Sequence, residues 1–333
     1  MKTRRLGRTG LEVSPLGIGC YQLTGEFRVP RDEAARILAL AARSGVRLVD
    51  TAPSYGAGES EELVGRALAA DPDWDPVVST KVGRLDTTIV RTGGDDAYVD
   101  PELLERAVMH SLWLLRRDRA DIVMVHEPDW PQWRIDAEAG TAVVFDVLDD
   151  LRRRGVIGHI GVGGWDSERA TALVRTGRVD VVLAAGGLSL IDSTIHSGLL
   201  EATEEHDAGL IVGGAFGQNS RFLIQPARED VRTLAASEDP DRRTLARKLE
   251  LVYELSDQVG IPLPELAVRY ILSIPQVHSH IAGARETGHL ASNLAAVEAG
   301  PLEPEVVKAI EDIHGAGEIP DPLAVARLAR GMR

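Results

Sequence analysis

A (β/α)8 TIM barrel is the fold that this 333-residue sequence predicts, and three observations predict it. Eight short β-branched runs recur along the chain, each followed by a longer segment with apolar residues at every third or fourth position. Strands that alternate with helices in this way pair in parallel through right-handed crossovers, and a closed barrel leaves their sheet no free edge. Three long connections, residues 82–99, 127–138 and 215–239, all follow predicted strands, which places them over the C-terminal face of such a barrel. No linker, low-complexity stretch or repeat beyond the βα unit interrupts the rhythm, so residues 1–333 read as one domain.

The elements follow in order. The opening TRRLGRTGLEVSPLG carries Gly7 and Gly10 between two short polar-apolar runs and reads as a β-hairpin cap under the barrel floor. Predicted strands are PLGIG (15–19), VRLVD (46–50), VVSTK (77–81), DIVMVH (121–126), IGHIGVG (157–163), VDVVLAA (179–185), GLIVGGAF (209–216) and VHSHIAG (277–283). Helical periodicity covers RDEAARILALAARSG (31–45), ESEELVGRALAA (59–70) and PELLERAVMHSLWLLR (101–116). Ser60 reads as a cap near the start of the second of these. Asp100-Pro101-Glu102 opens the third, with Pro at the first helical position.

Composition narrows the function. The hydrophobic share of 44% suits a sizeable core, and no apolar run approaches the roughly 18 residues of a membrane span. The N-terminal residues lack the apolar stretch of a signal peptide, and the lone Cys20 allows no intramolecular disulfide framework. The expectation is a cytoplasmic protein. A net charge of −14 argues against nucleic acid, because phosphate contacts need clustered cations. Neither nucleic acid nor membrane is expected as a partner, and the oligomeric state is left open. Basic residues are nearly all Arg; the lysines are Lys2, Lys81, Lys248 and Lys308. A Lys at the end of a buried strand is therefore notable, since Lys shifts its pKa on burial and Arg does not.

The chemistry gathers between residues 46 and 81. Asp50 ends one strand, Tyr55 lies in the Pro/Gly/Ser turn after it, and Lys81 ends the next. Singly, Asp50 reads equally as a cap and Tyr55 as a loop residue. Together they sit on strand ends about 4.8 Å apart, close enough for Lys81 to pair with Asp50 and aim its ammonium at the Tyr55 hydroxyl. A cation there favours the phenolate and is expected to lower the Tyr55 pKa toward working pH, where proton transfer is most efficient. His126, ending the fourth strand, faces the same oxygen. No metal site emerges: His278 and His280 share a strand face without a partnering Cys or carboxylate.

The motifs DTAPSYG, STKVG and VHEPD, each at its strand, carry a resemblance to the aldo-keto reductase superfamily along nearly the whole chain. RRRGVIGHIGVG, LIVGGAFGQNS and IAGARETGHLASN make it similar to the bacterial branch containing aldose (fucose-type) dehydrogenases. The resemblance implies that Tyr55 is the general acid for carbonyl reduction and the general base for alcohol oxidation. Lys81 and Asp50 would tune it, and His126 would orient the substrate oxygen. It further implies NAD or NADP, bound across the barrel mouth without a Rossmann unit; no strand–GxGxxG–helix unit is present. The contacts it implies are Gly214, Ala215, Phe216, Gln218, Asn219, Ser220 and Arg221, then Gly283, Arg285, His289 and Asn293. His289 stands where a charge or amide usually discriminates NADP, which leans toward NAD or dual use.

Two departures fall on the nicotinamide side. Where relatives end strand five with a Ser or Asn, this chain has Gly163, Gly164 and Trp165. The aromatic expected after strand six is replaced by Leu188, with Trp165 a compensating ring. Tyr21, Trp130 and Trp133 are candidate substrate contacts, because indoles and phenols at a barrel mouth stack on sugars or line apolar pockets; the two tryptophans read equally as loop anchors. Arg84 reads as a surface residue or an anion contact. The expected function is oxidation of an aldose at C1, with a sugar or small carbonyl as substrate. Aldehyde or ketone reduction by the same tetrad, a regulatory barrel that binds cofactor without turnover, and non-redox acid–base chemistry are the alternatives.

Overall fold

In a computed structural model of the protein, residues 1–84, 94–216 and 221–316 are described. A two-residue hairpin of β1 (Arg4–Arg5) and β2 (Glu12–Val13) precedes eight parallel strands. These are β3 (Leu16–Gly19), β4 (Leu48–Asp50), β5 (Val77–Val82), β6 (Ala120–His126), β7 (Ile157–Gly164), β8 (Val181–Ala184), β9 (Gly209–Gly213) and β10 (Ser279–Gly283). They close in sequence order, with β10 returning to β3 through His280↔Leu16 and Ala282↔Ile18. Every predicted strand is present, and the barrel is a (β/α)8 TIM barrel.

Side-chain parity explains how the barrel positions its chemistry. Leu48, Val77, Ile122, Met124, Val181, Leu183 and Ile211 fill the lumen. Val49, Val78, Val123 and Val125 face the helix layer instead. Because strand side chains alternate, Asp50 lies on the lumen row above Leu48, Lys81 above Val77, and His126 above Met124. An apolar plug thus ends in a polar top layer. The hairpin seals the other end: Leu6 and Val13 are fully buried against the lower lumen residues. Arg8 ties the hairpin down through Asp180 Oδ1 (3.0 Å) and the carbonyls of Gly177 and Val179 (2.8 and 2.7 Å).

The surrounding helices are α1 (Arg31–Arg43), α2 (Glu59–Ala70), α3 (Pro101–Leu115), α4 (Val143–Arg153), α5 (Ser167–Arg175), α6 (Leu199–Glu205), α7 (Arg221–Ile224), α8 (Arg228–Ala235), α9 (Pro240–Val259), α10 (Leu263–Leu272), α11 (Thr287–Ala299) and α12 (Pro304–His314). Asp100 caps α3 as its sequence predicts, accepting from the amides of Glu102 and Leu103 at 3.0 and 3.2 Å. Ser60 does not cap α2. That place is held by Gly58 at φ +92°, and the buried Ser60 hydroxyl instead donates to Cys20 O (3.1 Å) and meets Thr51 Oγ1 at 2.7 Å. A serine one position inside the helix points toward the strands, so it fastens α2 to the residue beside Asp50. Among the described residues, no helix is long and apolar enough to cross a membrane.

Candidate active site

The C-terminal ends of the strands surround a cavity of about 580 Å³ whose wall includes Asp50, Tyr55, Lys81 and His126. Lys81 Nζ donates to both Asp50 oxygens (2.9 and 2.8 Å) and to Thr51 O (2.9 Å). Both partners are 2% exposed, so the pair is desolvated and each charge depends on the other. Burial alone would lower the Lys81 pKa, but the charge of Asp50 and the Tyr55 hydroxyl overcome it and the net movement is upward. Asp50 thus favours the charged ammonium. Its Nζ lies 4.8 Å from the centroid of the Tyr55 ring.

The expected fall in the Tyr55 pKa does not occur. Burial of the phenol raises it above the ordinary value of 10, and the nearby Lys81 ammonium offsets only part of that rise. Asp50 adds to the rise by repelling a phenolate, with a smaller contribution from Glu127. Tyr55 is therefore held protonated, which suits it to give a proton. His126 stands beside it, ring centroids 6.0 Å apart and nearly perpendicular. Burial, then the positive charges of Lys81 and Arg84, push its pKa well below 6.5. A neutral imidazole offers a hydrogen bond without competing as the acid. Its Nδ1 is buried without a hydrogen-bond partner.

The remaining predicted residues divide. Gly163, Gly214, Ala215, Phe216, Gly283, Arg285 and Tyr21 line the cavity. Tyr21 forms an aromatic wall with Tyr55 and Phe27, at centroid distances of 4.9 and 4.7 Å. Phe27 carries the Arg285 guanidinium over its ring at 5.1 Å; nothing in its Gly/Glu/Arg surroundings announced that role. Gln218, Asn219 and Ser220 lie outside the described residues, and Arg221 begins α7. Asn293 is buried on α11 and His289 is exposed; neither lines the cavity. His289 meets Glu286 at 3.3 Å.

Three predicted contacts are displaced from the wall. Leu188 is fully buried in the helix layer, because Gly186 and Gly187 (φ +81°) turn the chain away after β8. Trp165 lines the cavity in its stead, packed so closely on Gly186 that a Cβ there would lie 2.5 Å from the indole. Trp133 has no exposed surface and packs against Tyr98 at 4.8 Å; its indole N–H donates to His126 O at 3.0 Å. Trp130 stands behind the wall, with the Arg84 guanidinium 5.4 Å over its ring. Both tryptophans anchor their loop. Arg84 itself lines the cavity, as does Glu127, which sequence reasoning passed over although it directly follows His126 in VHEPD.

Gly163 has no side chain where a Cβ would lie 3.6 Å from Leu183 and 3.7 Å from the Lys81 stem, and Gly213 and Gly214 leave the β9 side equally bare. Gly163, Gly213, Gly214 and Trp165 line one part of this cavity and would be the residues to meet a nicotinamide ring, and Arg285 would be the lining cation for an anionic group.

The comparisons agree with this geometry. Residues 15–314 match the Aldo/keto reductase family. The chain is 30% identical over 301 residues to a D-threo-aldose 1-dehydrogenase of a Pseudomonas species, covering 85% of this chain and 89% of that protein. It is 26% identical to the NADH-specific methylglyoxal reductase of Escherichia coli (strain K12), covering 89% and 94%. The aldo-keto reductase AKR11C1 from Bacillus halodurans, in its holo form, superposes with a TM-score of 0.73 at 24% identity, over 96% of this chain and 98% of that one. With a family match over nearly the whole barrel, the chain belongs to the aldo/keto reductase family of oxidoreductases.

Proposed function

We propose that this protein transfers a hydride between NAD(P) and a sugar or small carbonyl–alcohol pair, and that it works chiefly as an aldose 1-dehydrogenase. The observation that carries the reading is the Lys81–Tyr55 pair beside a neutral His126 at the head of the lumen. The likeness to a D-threo-aldose 1-dehydrogenase supports the aldose. A bound nicotinamide supplies or accepts the hydride. The chain's own residues move the proton and hold the oxygen.

In reduction, Tyr55 gives its phenolic proton to the carbonyl oxygen while His126 donates a hydrogen bond to the same atom. Lys81 stabilises the phenolate that results, and Asp50 keeps Lys81 charged and oriented. In the aldose direction the phenolate takes the proton of the anomeric hydroxyl as C1 loses its hydride, and the C–O bond becomes the lactone carbonyl. We favour NAD over NADP. The Glu286 carboxylate beside His289 and near Arg285 opposes a 2′-phosphate at that edge.

The test is a panel of aldoses, aldehydes and ketones followed at the reduced-nicotinamide absorbance in both directions, with cofactor binding read from Trp fluorescence. Aldose oxidation with NAD upholds the reading. Turnover of aldehydes alone makes the protein a carbonyl reductase, and cofactor binding with no turnover on the whole panel overturns the enzymatic reading.

A further inference from the structure

Beyond the acid–base set, the described cavity wall carries one further carboxyl group, Glu127. It follows His126 directly. Its amide donates to Gly163 O at 2.8 Å, the last rung between β6 and β7, and its own carbonyl accepts from Trp130 at 3.1 Å. Between these bonds the backbone sits at φ +52°, the left-handed region that a Glu rarely adopts, and such outliers concentrate at functional sites. The neighbouring strand makes room for the side chain. Gly164 has no Cβ, and one built there would lie 3.1 Å from Glu127 Oε2. On the adjacent strand, just past the end of β5, Arg84 also sits at φ +52° and lines the same wall.

We propose that Glu127 selects the substrate: its carboxylate accepts hydrogen bonds from hydroxyl groups of a polyhydroxylated substrate whose reacting oxygen lies between Tyr55 and His126. The inference rests on the sugar reading above and names what in this cavity would choose a sugar. His126 and Glu127 line the same cavity, so a group held by His126 and one held by Glu127 can belong to a single small polyol. An ionised carboxylate offers acceptors and no donor. It suits hydroxyls, and it opposes a sugar acid or sugar phosphate by charge. A simple aldehyde would leave this half-buried group without a partner, the arrangement that discriminates most strongly against a substrate lacking the hydroxyl.

Ionisation of Glu127 modulates the selection. Burial, then the neighbouring Asp129, push its pKa up to about 7, while Arg84 and Lys81 pull against them. Preference for hydroxylated substrates should strengthen as pH rises through 7.

The experiment compares kcat/KM for glyceraldehyde and propanal, which differ by two hydroxyls, in the wild type, Glu127→Gln and Gly164→Ala. Gly164→Ala crowds the carboxyl without deleting it, so it reports even where Glu127→Gln folds poorly. We expect the glyceraldehyde-to-propanal ratio to fall 10- to 100-fold in both variants, and the wild-type ratio to lose its rise above pH 7 in Glu127→Gln. A ratio unmoved in both variants overturns the role of Glu127 while leaving aldose oxidation by the wild type untouched. Absence of turnover of any hydroxylated substrate by the wild type overturns the sugar reading itself, and this inference with it.

Discussion

The indole N–H of Trp133 donates to the backbone carbonyl of His126 across seven residues of chain, at 3.0 Å and entirely away from solvent. The same ring lies under Gly83, where a Cβ would approach it to 2.6 Å at a backbone φ of +126°. One side chain thus braces the ends of both β5 and β6, the strands that carry Lys81 and His126. Trp133→Phe keeps most of the ring but deprives a buried carbonyl of its donor. We expect a loss of about 1–3 kcal/mol in stability, read by denaturant unfolding, and a fall in kcat larger than any change in cofactor affinity. An unaltered kcat would show that His126 holds its place without this brace.

Tyr55→Phe removes the proton and little else, since the ring still packs against Tyr21. Turnover should fall by about 10²–10⁴-fold, with cofactor binding by fluorescence preserved. Because burial raises the Tyr55 pKa from the ordinary phenolic value, wild-type reduction should stay level through neutral pH and decline only in alkali. The oxidation rate should climb over the same range as more phenolate becomes available. Full activity in Tyr55→Phe would remove it from the mechanism.

Asp50 and Lys81 should behave as a pair in stability measurements. Lys81→Met leaves a buried carboxylate without its cation, a change that costs roughly 3–5 kcal/mol. Adding Asp50→Asn removes the stranded charge, so the double variant should be more stable than Lys81→Met alone while remaining inactive. Thermal unfolding of the three proteins checks this, and strictly additive losses would contradict the coupling.

Glu61 gives the fold a pH dependence of its own. It is buried on α2, where Oε1 accepts from Thr80 Oγ1 at 2.6 Å and Oε2 has no partner. Burial raises its pKa from 4.5 to about 7, against the pull of Thr80, Ser111 and Lys81. A carboxyl raised on folding binds more protons in the native state between those values, so its contribution declines as pH rises from 4.5 to 7 and is level above. The amplitude is on the order of 3 kcal/mol. Glu61→Gln should flatten that part of the curve, as seen in unfolding free energies at pH 5 and pH 8; parallel curves for the two proteins would refute it.

The barrel was legible because its signals are local and repeated. The apolar runs VRLVD, VVSTK and DIVMVH place Asp50, Lys81 and His126 at strand ends, and the strand order then brings them to one layer. Asp100-Pro101 marked a helix start for the same kind of reason, a cap needing only its own next three residues. Hence the fold, and the gathering of Asp50, Tyr55, Lys81 and His126 at one end of the barrel, came from the sequence alone.

What depended on approach between distant residues did not. Leu188 left the cavity wall because two glycines steer the chain after β8, and Trp133 went under the loop because Gly83 leaves it room. Ser60 turned inward to Thr51 and Cys20. The Tyr55 pKa moved upward because burial outweighs the Lys81 cation, a balance set by distances and solvent exclusion. Glu127 gained its place in the cavity from a left-handed backbone and a bare Gly164 on the next strand. Residue types and their periods determined which side chains stand at the barrel mouth. Only the packed structure, through excluded water and close contact, decided which of them face the cavity and which state of charge is favoured there.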